Sequence, residues 1–338
     1  MQFKLKTFLL GLCFLFASEA YCQTPVKFQL DWRFEGPSAF FLLPVDKGYF
    51  KQAGLDVTVD AGNGSGNAVN RVASGAYDMG FADLAALMEF YGNNPDAPSK
   101  PVALMVVYNN TPAAVLTLKS SSIKSLADMT GKKFGAPSFD AGRRAFPLFQ
   151  AANKIGPVEW ISMDPALRET MLAKGDVDAI TGFGFTSILS LEARGVKAED
   201  IVSFPYPKYG VKLYGNVIIA SPKFIKENPK AVKAFLEAFT KGAKEVIANP
   251  DEAIKYVKEK DGIINVDLEK RRLKMAITDA VATADAKKEG FGAASLVRIK
   301  EMATHVNEVF KTKTPVDPTA VWDPQFMPSA KTRDILPK

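Results

Sequence analysis

Short β-rich runs alternate with helical patterns along most of this chain, and this alternation restricts the possible folds more than any other feature. In the first third, strand-like runs occupy residues 26–30, 55–60, 77–81, 101–107 and 113–118, with helical patterns at 40–50, 66–74 and 84–91. Strands that alternate with helices are typical of parallel sheets covered by helices. The sequence therefore predicts an α/β fold.

A second series of the same kind follows. Its strand-like runs are 133–136, 158–163 and 178–182, and its helical patterns end at Asn153, Lys174 and Arg194. Ser122 is typical of a helix N-cap, here for a short helix containing Leu126. The second series predicts a second α/β unit.

The last third holds one more strand-like run, at 216–220, and is otherwise helical. Apolar residues recur at three- and four-residue spacing over 229–248, 251–260, 267–284 and 293–310. We interpret residues 23–115 and 214–338 as lobe one and residues 116–213 as lobe two. The chain then crosses between the lobes twice, near 116–119 and near 207–214. Two crossovers form a hinge, and a cleft between hinged lobes is a recurrent ligand site.

The first 22 residues are typical of a secretory signal peptide. Lys4 and Lys6 precede an apolar stretch at residues 7–17, and small residues follow at Ser18 and Ala20. The stretch is shorter than the ~20 residues of a membrane-spanning helix. We expect export to the periplasm with cleavage of the leader. A lipid anchor on Cys22 is the alternative, but Tyr21 before it is bulky.

Composition excludes several classes of site. The two cysteines, Cys13 and Cys22, both lie in the leader, so a chain cleaved before Gln23 has no disulfide and no thiol nucleophile. The formal charge of +6 comes from 43 basic and 37 acidic residues that are interspersed along the chain. This pattern indicates a solvated surface rather than a nucleic-acid site. We expect no metal and no cofactor.

The candidate binding residues follow strand ends, because ligands of parallel sheets bind beyond the carboxyl ends of the strands. We add aromatic side chains expected in the cleft and Tyr214 on a crossover. The candidates are Asp31, Trp32, Phe34, Asn63, Gly64, Ser65, Gly66, Ala82, Asp83, Tyr108, Ser138, Asp140, Phe183 and Tyr214.

Several of these candidates have a structural alternative. Residues 64–66 precede a helix and could aim backbone N–H groups at an anion, or could form only a tight turn. Asp83 is better placed to cap the next helix than to bind ligand. Trp32 could be core, and Tyr214 could simply pack in the hinge. Arg143 opens a helix, where the dipole disfavours a cation, which hints at a specific partner.

The order of several short motifs resembles solute-binding proteins of the sulfonate and thiamine-pyrimidine-precursor (SsuA/THI5-like) family. The motifs span nearly the whole mature chain and occur at residues 30–32, 46–51, 53–57, 62–66, 72–81, 126–133 and 174–179. The resemblance implies a type 2 periplasmic binding fold. It also implies a small-molecule ligand and partnership with the membrane permease and ATPase of an ABC importer. We expect a monomer.

Two other functions compete with binding. Some members of the wider family are pyrimidine-forming enzymes that depend on a histidine and a cysteine-rich segment. Here His305 is the one histidine and lies in a helical run far from the strand ends, so no Ser/His/Asp set can be built there. A ligand-sensing domain of a transcription regulator would need a DNA-binding helix pair. We therefore predict a binding protein with no catalytic residues.

The ligand is the least determined feature. Aromatic rings with the carboxylates Asp31, Asp83 and Asp140 suit a flat nitrogen heterocycle such as a pyrimidine. A sulfonate would instead use the backbone of residues 64–66 and Arg143. Pyrimidine-precursor members carry Trp-Asn and Glu where this chain has residues 183–188, Phe-Gly-Phe-Thr-Ser-Ile. That departure argues against the thiamine precursor itself, and we favour a heterocycle over a sulfonate, nitrate or related anion.

Overall fold

The computed structural model describes residues 23–337, so the predicted leader at residues 1–22 lies outside the described part of the chain. The strands of the described part are β1 (Thr24–Gln29), β2 (Leu55–Asp60), β3 (Met79–Asp83), β4 (Val102–Val106), β5 (Ala113–Leu118), β6 (Lys133–Ala136), β7 (Glu159–Ser162), β8 (Ala179–Phe183), β9 (Ile201–Pro205) and β10 (Asn216–Ala220).

The helices of the same part lie between these strands and after them. They are α1 (Ala39–Asp46), α2 (Tyr49–Gln52), α3 (Ser65–Ala73), α4 (Leu84–Asn93), α5 (Ala141–Ala152), α6 (Arg168–Lys174), α7 (Gly184–Glu192), α8 (Pro222–Glu227), α9 (Pro229–Ala248), α10 (Pro250–Lys260), α11 (Val266–Ala276), α12 (Ala284–Glu289), α13 (Leu296–Phe310) and α14 (Pro318–Val321).

The strands form two five-stranded sheets with the same plan, which defines two α/β lobes. Lobe one holds the sheet β2-β1-β3-β10-β4, and lobe two holds the sheet β7-β6-β8-β5-β9. In each sheet one strand runs against its neighbours: β10 is antiparallel to β3 and β4, and β5 is antiparallel to β8 and β9. The expectation of parallel sheets is therefore wrong at these two strands. Each of them borders a crossover, where the chain enters its sheet from the other lobe.

Two adjacent crossovers connect the lobes, at residues 107–112 and 206–215. They are hydrogen-bonded to each other: the Thr111 N–H donates to the Leu213 carbonyl at 2.9 Å, and the Gly215 N–H donates to the Tyr108 carbonyl at 2.8 Å. The first crossover therefore precedes the 116–119 segment expected from the sequence. Residues 113–118 belong to lobe two because both neighbours of β5 lie in that sheet.

Amphipathic helices cover both sheets, and α9 shows why the sequence folds this way. Pro229 occupies its first turn, where the missing N–H costs nothing. Its buried side chains recur at helical spacing and include Val232, Phe235, Phe239 and Val246. Phe235 stacks on Phe28 of β1 with ring centroids 5.2 Å apart. The core of lobe one thus lies between β1 and the C-terminal helices.

The lobes meet along two seams that differ in chemistry. On one side, α5 of lobe two packs against α4 and α13 of lobe one. These three helices share an apolar cluster that includes Met88, Phe146 and Met302. On the other side, α7 packs against α11. That seam carries charged and hydroxyl side chains, described below.

Two local predictions were wrong. Ser122 caps no helix, because residues 124 and 125 donate their N–H groups to the Asp128 carboxylate and only a 3₁₀ turn forms at Ala127–Met129. The helix expected over 267–284 ends at Ala276 and continues as a π-helical turn, Ile277–Val281. Within residues 23–337, no helix has the length and apolar character to cross a membrane.

Candidate functional site

A cavity lies between the lobes at the carboxyl ends of β1 and β8, and it encloses about 550 Å³ of empty space, including the part open to solvent. Half of the candidate residues line it: Asp31, Trp32, Gly64, Ser65, Tyr108, Asp140 and Phe183.

Asp31 forms the polar wall of lobe one. It follows β1 and accepts hydrogen bonds from Asn216 Nδ2 at 2.7 Å and from Ser65 Oγ at 3.4 Å. Both bonds reach the same carboxylate oxygen, Oδ2. Burial raises the pKa of Asp31 to about 7, against the effect of these hydrogen bonds. The second oxygen, Oδ1, is the acceptor that this wall can offer to a donor on a ligand.

Arg168 and Asp140 line the cavity on the side of lobe two, and Glu169 pairs with Arg168. The Arg168 guanidinium lies 2.9 Å from Asp140 and 2.7 Å from Glu169, and its side chain is 1% exposed. Asp140 also caps α5 by accepting from the Arg143 N–H at 2.9 Å, and Ser187 Oγ donates to Glu169 at 2.8 Å. Although burial acts to raise it, the pKa of Glu169 is held below its usual range by Arg168. The cation in this wall is therefore already neutralised.

Aromatic rings form the remaining wall. Tyr108 of the first crossover meets Phe183 and Phe185 edge-on, with centroids 6.2 and 6.0 Å away. Phe81 meets Tyr108 in the same way at 5.2 Å. Edge-to-face clusters of this kind present apolar faces for a flat ligand.

Trp32 lies where the two lobes face each other across the cavity. Its ring is half-buried, and the Arg168 guanidinium of lobe two lies 4.8 Å from the ring centroid. Its Nε1 is buried and has no hydrogen-bond partner among residues 23–337. A buried indole usually has such a partner. This wall therefore holds an unused donor as well as an aromatic face.

Four candidates on lobe one do not line the cavity. Phe34 packs against the core of lobe one, with the Lys260 ammonium 5.5 Å from its ring. Asn63 is exposed and accepts from Asn67 Nδ2 at 2.5 Å. Ala82 is buried in the apolar cluster beneath the helices. Asp83 caps α4, accepting from the N–H groups of residues 85 and 86 at 2.9 and 3.2 Å.

Gly66, Ser138 and Tyr214 also lie elsewhere. The Gly66 N–H donates to the Phe139 carbonyl of lobe two at 3.1 Å. Ser138 is exposed and bonds Ser162 Oγ at 3.3 Å. Tyr214 is buried, and its hydroxyl accepts from the N–H of residue 295 at 2.8 Å. None of these three residues lines the cavity.

The anion nest expected at residues 64–66 is occupied by protein. The Gly64 N–H donates to the Asp31 carbonyl at 2.6 Å, and the Gly66 N–H is used as above. Arg143 does not line the cavity either. It donates to the Ala136 carbonyl and to Ser162, both at 2.9 Å.

Sequence reasoning missed Glu35, Arg168 and Thr186, which all line the cavity. Arg168 had a detectable signal, because it stands in the first turn of α6, where a cation opposes the helix dipole. The dipole argument that singles out Arg143 holds for Arg168 as well. Glu35 and Thr186 had no local signal, because they are brought together only by the approach of the two lobes.

The sequence matches the model of the NMT1/THI5-like family over residues 37–253. The chain belongs to this family. A formylaminopyrimidine-binding protein from Halalkalibacterium halodurans is 26% identical in an alignment that covers 75% of this chain and 77% of that protein. A Saccharomyces cerevisiae relative, the 4-amino-5-hydroxymethyl-2-methylpyrimidine phosphate synthase THI13, is 26% identical over 72% of this chain and 73% of its own length.

Solved structures agree with this NMT1/THI5-like assignment at the level of the fold. The alkanesulfonate-binding protein SsuA from Xanthomonas axonopodis pv. citri superposes with a TM-score of 0.68 at 14% identity, covering 89% of this chain and 96% of SsuA. The family resemblance and the two-lobed periplasmic binding fold expected from the sequence are thereby confirmed.

Proposed function

We propose that this protein is the solute-binding component of an ABC importer and that it captures a neutral or cationic nitrogen heterocycle by closure of its two lobes. The observation that carries the proposal is the charge of the cavity wall. The buried cation, Arg168, is shared by two carboxylates, whereas Asp31 keeps an oxygen for a ligand donor. Aromatic rings complete the wall, and the formylaminopyrimidine-binding relative has a name consistent with this chemistry.

A sulfonate is disfavoured by the same contacts. An anion would need Arg168 to leave Asp140 or Glu169, and a buried carboxylate that loses its partner is costly. The alternative anion receptor, the backbone of residues 64–66, has two of its N–H groups bonded to carbonyls. The resemblance to SsuA therefore supports a function in transport, but it does not support a sulfonate as the ligand of this protein.

Catalysis like that of the yeast relative has little support in the cavity. His305 lies on α13 and lines a separate groove near Leu148 and Leu213. The carboxylates of the wall are engaged by Arg168, Asn216 or Thr186. We therefore favour binding and delivery to a permease over a reaction.

Native mass spectrometry of the exported protein tests the proposal. We expect a retained compound that leaves on unfolding and contains a nitrogen heterocycle, or, in stripped protein, a one-to-one complex with added formylaminopyrimidine. Retention of a sulfonate, or a complex with ethanesulfonate but not with the pyrimidine, would contradict it. Conversion of the bound compound during incubation would favour the enzyme.

A further inference from the structure

We propose that Arg272 is a positioning residue that holds the cavity carboxylate Glu35 and joins it to α7, so that closure of the lobes completes the cavity wall. Glu35 lines the cavity, whereas Arg272 lies behind it on α11. The inference rests on the proposed function because it assigns a role in lobe closure. We refer to Glu35, Glu269, Arg272, Thr186 and Ser190 as the clasp.

The lobe-one half of the clasp is a buried ion network. Arg272 is 3% exposed and contacts Glu269 at 2.5 Å and Glu35 Oε2 at 3.4 Å. Glu269 Oε2 accepts from the Gly36 N–H at 2.5 Å. A side chain on Gly36 would overlap the Glu269 carbonyl, so glycine permits this close approach of α11. All of these groups belong to lobe one and need no partner from lobe two.

The lobe-two half consists of two hydroxyls on α7. Thr186 Oγ1 donates to Glu35 Oε2 at 2.9 Å, and Arg272 Nη2 donates to Ser190 Oγ at 3.0 Å. Residues 186 and 190 are four apart, so they share one face of the helix. Opening of the lobes would break both bonds while the ion network stays within lobe one. The clasp therefore distinguishes the closed form from the open form.

Ser190 is the part of the clasp that affects closure selectively. In the open form, water can accept from Arg272 Nη2. In the closed form the site is buried, and loss of Ser190 Oγ would leave a charged donor without its acceptor. A hydrogen bond that involves a charged group is stronger than a neutral one. Ser190 does not line the cavity, so its removal touches no ligand contact there.

Arg271, which precedes Arg272 in the sequence, provides a matched control. Arg271 also joins α11 to α7, through a pair with Glu192 at 2.8 Å, but its side chain is 56% exposed. Exposed pairs contribute little. Ser190→Ala and Arg271→Ala thus each remove one link between the same two helices, one buried and one solvated.

Electron–electron distance measurements and calorimetry on the same variants test the proposal. Nitroxide labels at Thr58→Cys on β2 and Glu159→Cys on β7 report the opening, because both positions are exposed on edge strands of the two sheets. We expect unliganded protein to show a short and a long distance. The Ser190→Ala variant should lose most of the population at the short distance and should bind formylaminopyrimidine about tenfold more weakly. Arg271→Ala should change neither.

An unliganded distance distribution that is the same for Ser190→Ala and the parent would overturn the proposal, whatever the affinity. An equal shift in Arg271→Ala would also overturn it, since any link between the helices would then suffice. Lack of pyrimidine binding by the parent would refute the proposed ligand only. The distances without ligand would still decide the role of the clasp.

Discussion

Trp32 brings together three features that are separate elsewhere in the cavity wall. Its ring lines the cavity, the Arg168 guanidinium of the opposite lobe lies over the ring, and its buried Nε1 has no hydrogen-bond partner in the described part of the chain. The first two features make the ring part of the closed form. The third feature predicts a hydrogen-bond acceptor on the ligand or an ordered water at this point.

Trp32→Ala should weaken binding more than folding. A central aromatic anchor contributes ~2 kcal/mol or more to binding, so we expect at least a tenfold loss of affinity. Trp32→Phe keeps a ring and removes the N–H, and it should recover part of that loss. Calorimetry and thermal unfolding of both variants provide the check. A loss of ~3–5 kcal/mol in stability with unchanged affinity would instead identify a core residue.

Asp31 should make ligand binding depend on pH. Because burial raises the pKa of Asp31 to about 7, the carboxyl is largely protonated below that pH, and without its negative charge it holds a ligand donor less strongly. We expect affinity to fall up to tenfold per pH unit below about 7 and to level off above it.

Asp31→Asn separates the two ligand classes. The variant should lose ~1.5–3 kcal/mol of binding to a heterocycle, and the slope with pH should disappear. For an anionic ligand the sign reverses, because the substitution removes a neighbouring negative charge. Tighter binding in Asp31→Asn would therefore contradict the heterocycle.

Among the elements, the start of α3 brings the backbone of lobe one into contact with the backbone of lobe two, where the Gly66 N–H donates to the Phe139 carbonyl. Gly64 has φ +139°, and a side chain there would overlap the Phe139 carbonyl of lobe two. Gly64→Ala should therefore oppose closure and reduce affinity at least tenfold. Gly54→Ala is the control, since its φ is +78° and it faces open space. Equal affinity in the two variants, measured by calorimetry, would show that closure does not need this contact.

Periodicity predicted most elements, and its failures have local causes. In β2 and in α9, the spacing of apolar residues in the sequence predicts which face of the element is buried. By contrast, β5 is buried along nearly its whole length and shows no alternation that would assign it to either lobe. Only its pairing with β8 and β9 does so. The first crossover could therefore not be located from the sequence.

At the scale of the whole molecule, buried carboxyl groups predict how the free energy of unfolding depends on pH. Burial raises the pKa of both Asp31 and Asp83 to about 7, from a usual value of 3.8. A carboxyl whose pKa is raised on folding stabilises most below its unfolded pKa, and that contribution is lost as pH rises through the folded pKa. The free energy of unfolding should therefore fall between about pH 4 and pH 8.

Denaturant titrations across this range provide the measurement. Asp83→Asn should reduce the slope while keeping the cap of α4, because asparagine also caps helices well. A free energy of unfolding that rises between pH 4 and pH 8 in the parent would contradict the account, as would an unchanged slope in the variant.

The sequence predicted where the cavity lies, but it predicted only some of the residues that line it. Strand ends identified Asp31, Trp32 and Asp140 because these residues follow strands of the sheets. They could not identify Arg168 or Glu35, whose partners come from other segments of the chain. The charge balance on which the ligand class depends therefore comes from tertiary contacts, because Arg168 meets Asp140 only in the folded lobe two.

Calorimetric titration of residues 23–338 with formylaminopyrimidine and, separately, with ethanesulfonate tests the central claim most directly. We predict one-to-one binding of the pyrimidine that tightens as pH rises towards 7, and no measurable binding of the sulfonate. Tighter binding of the sulfonate than of the pyrimidine, or binding of the pyrimidine that is unchanged in Asp31→Asn at every pH, would contradict it.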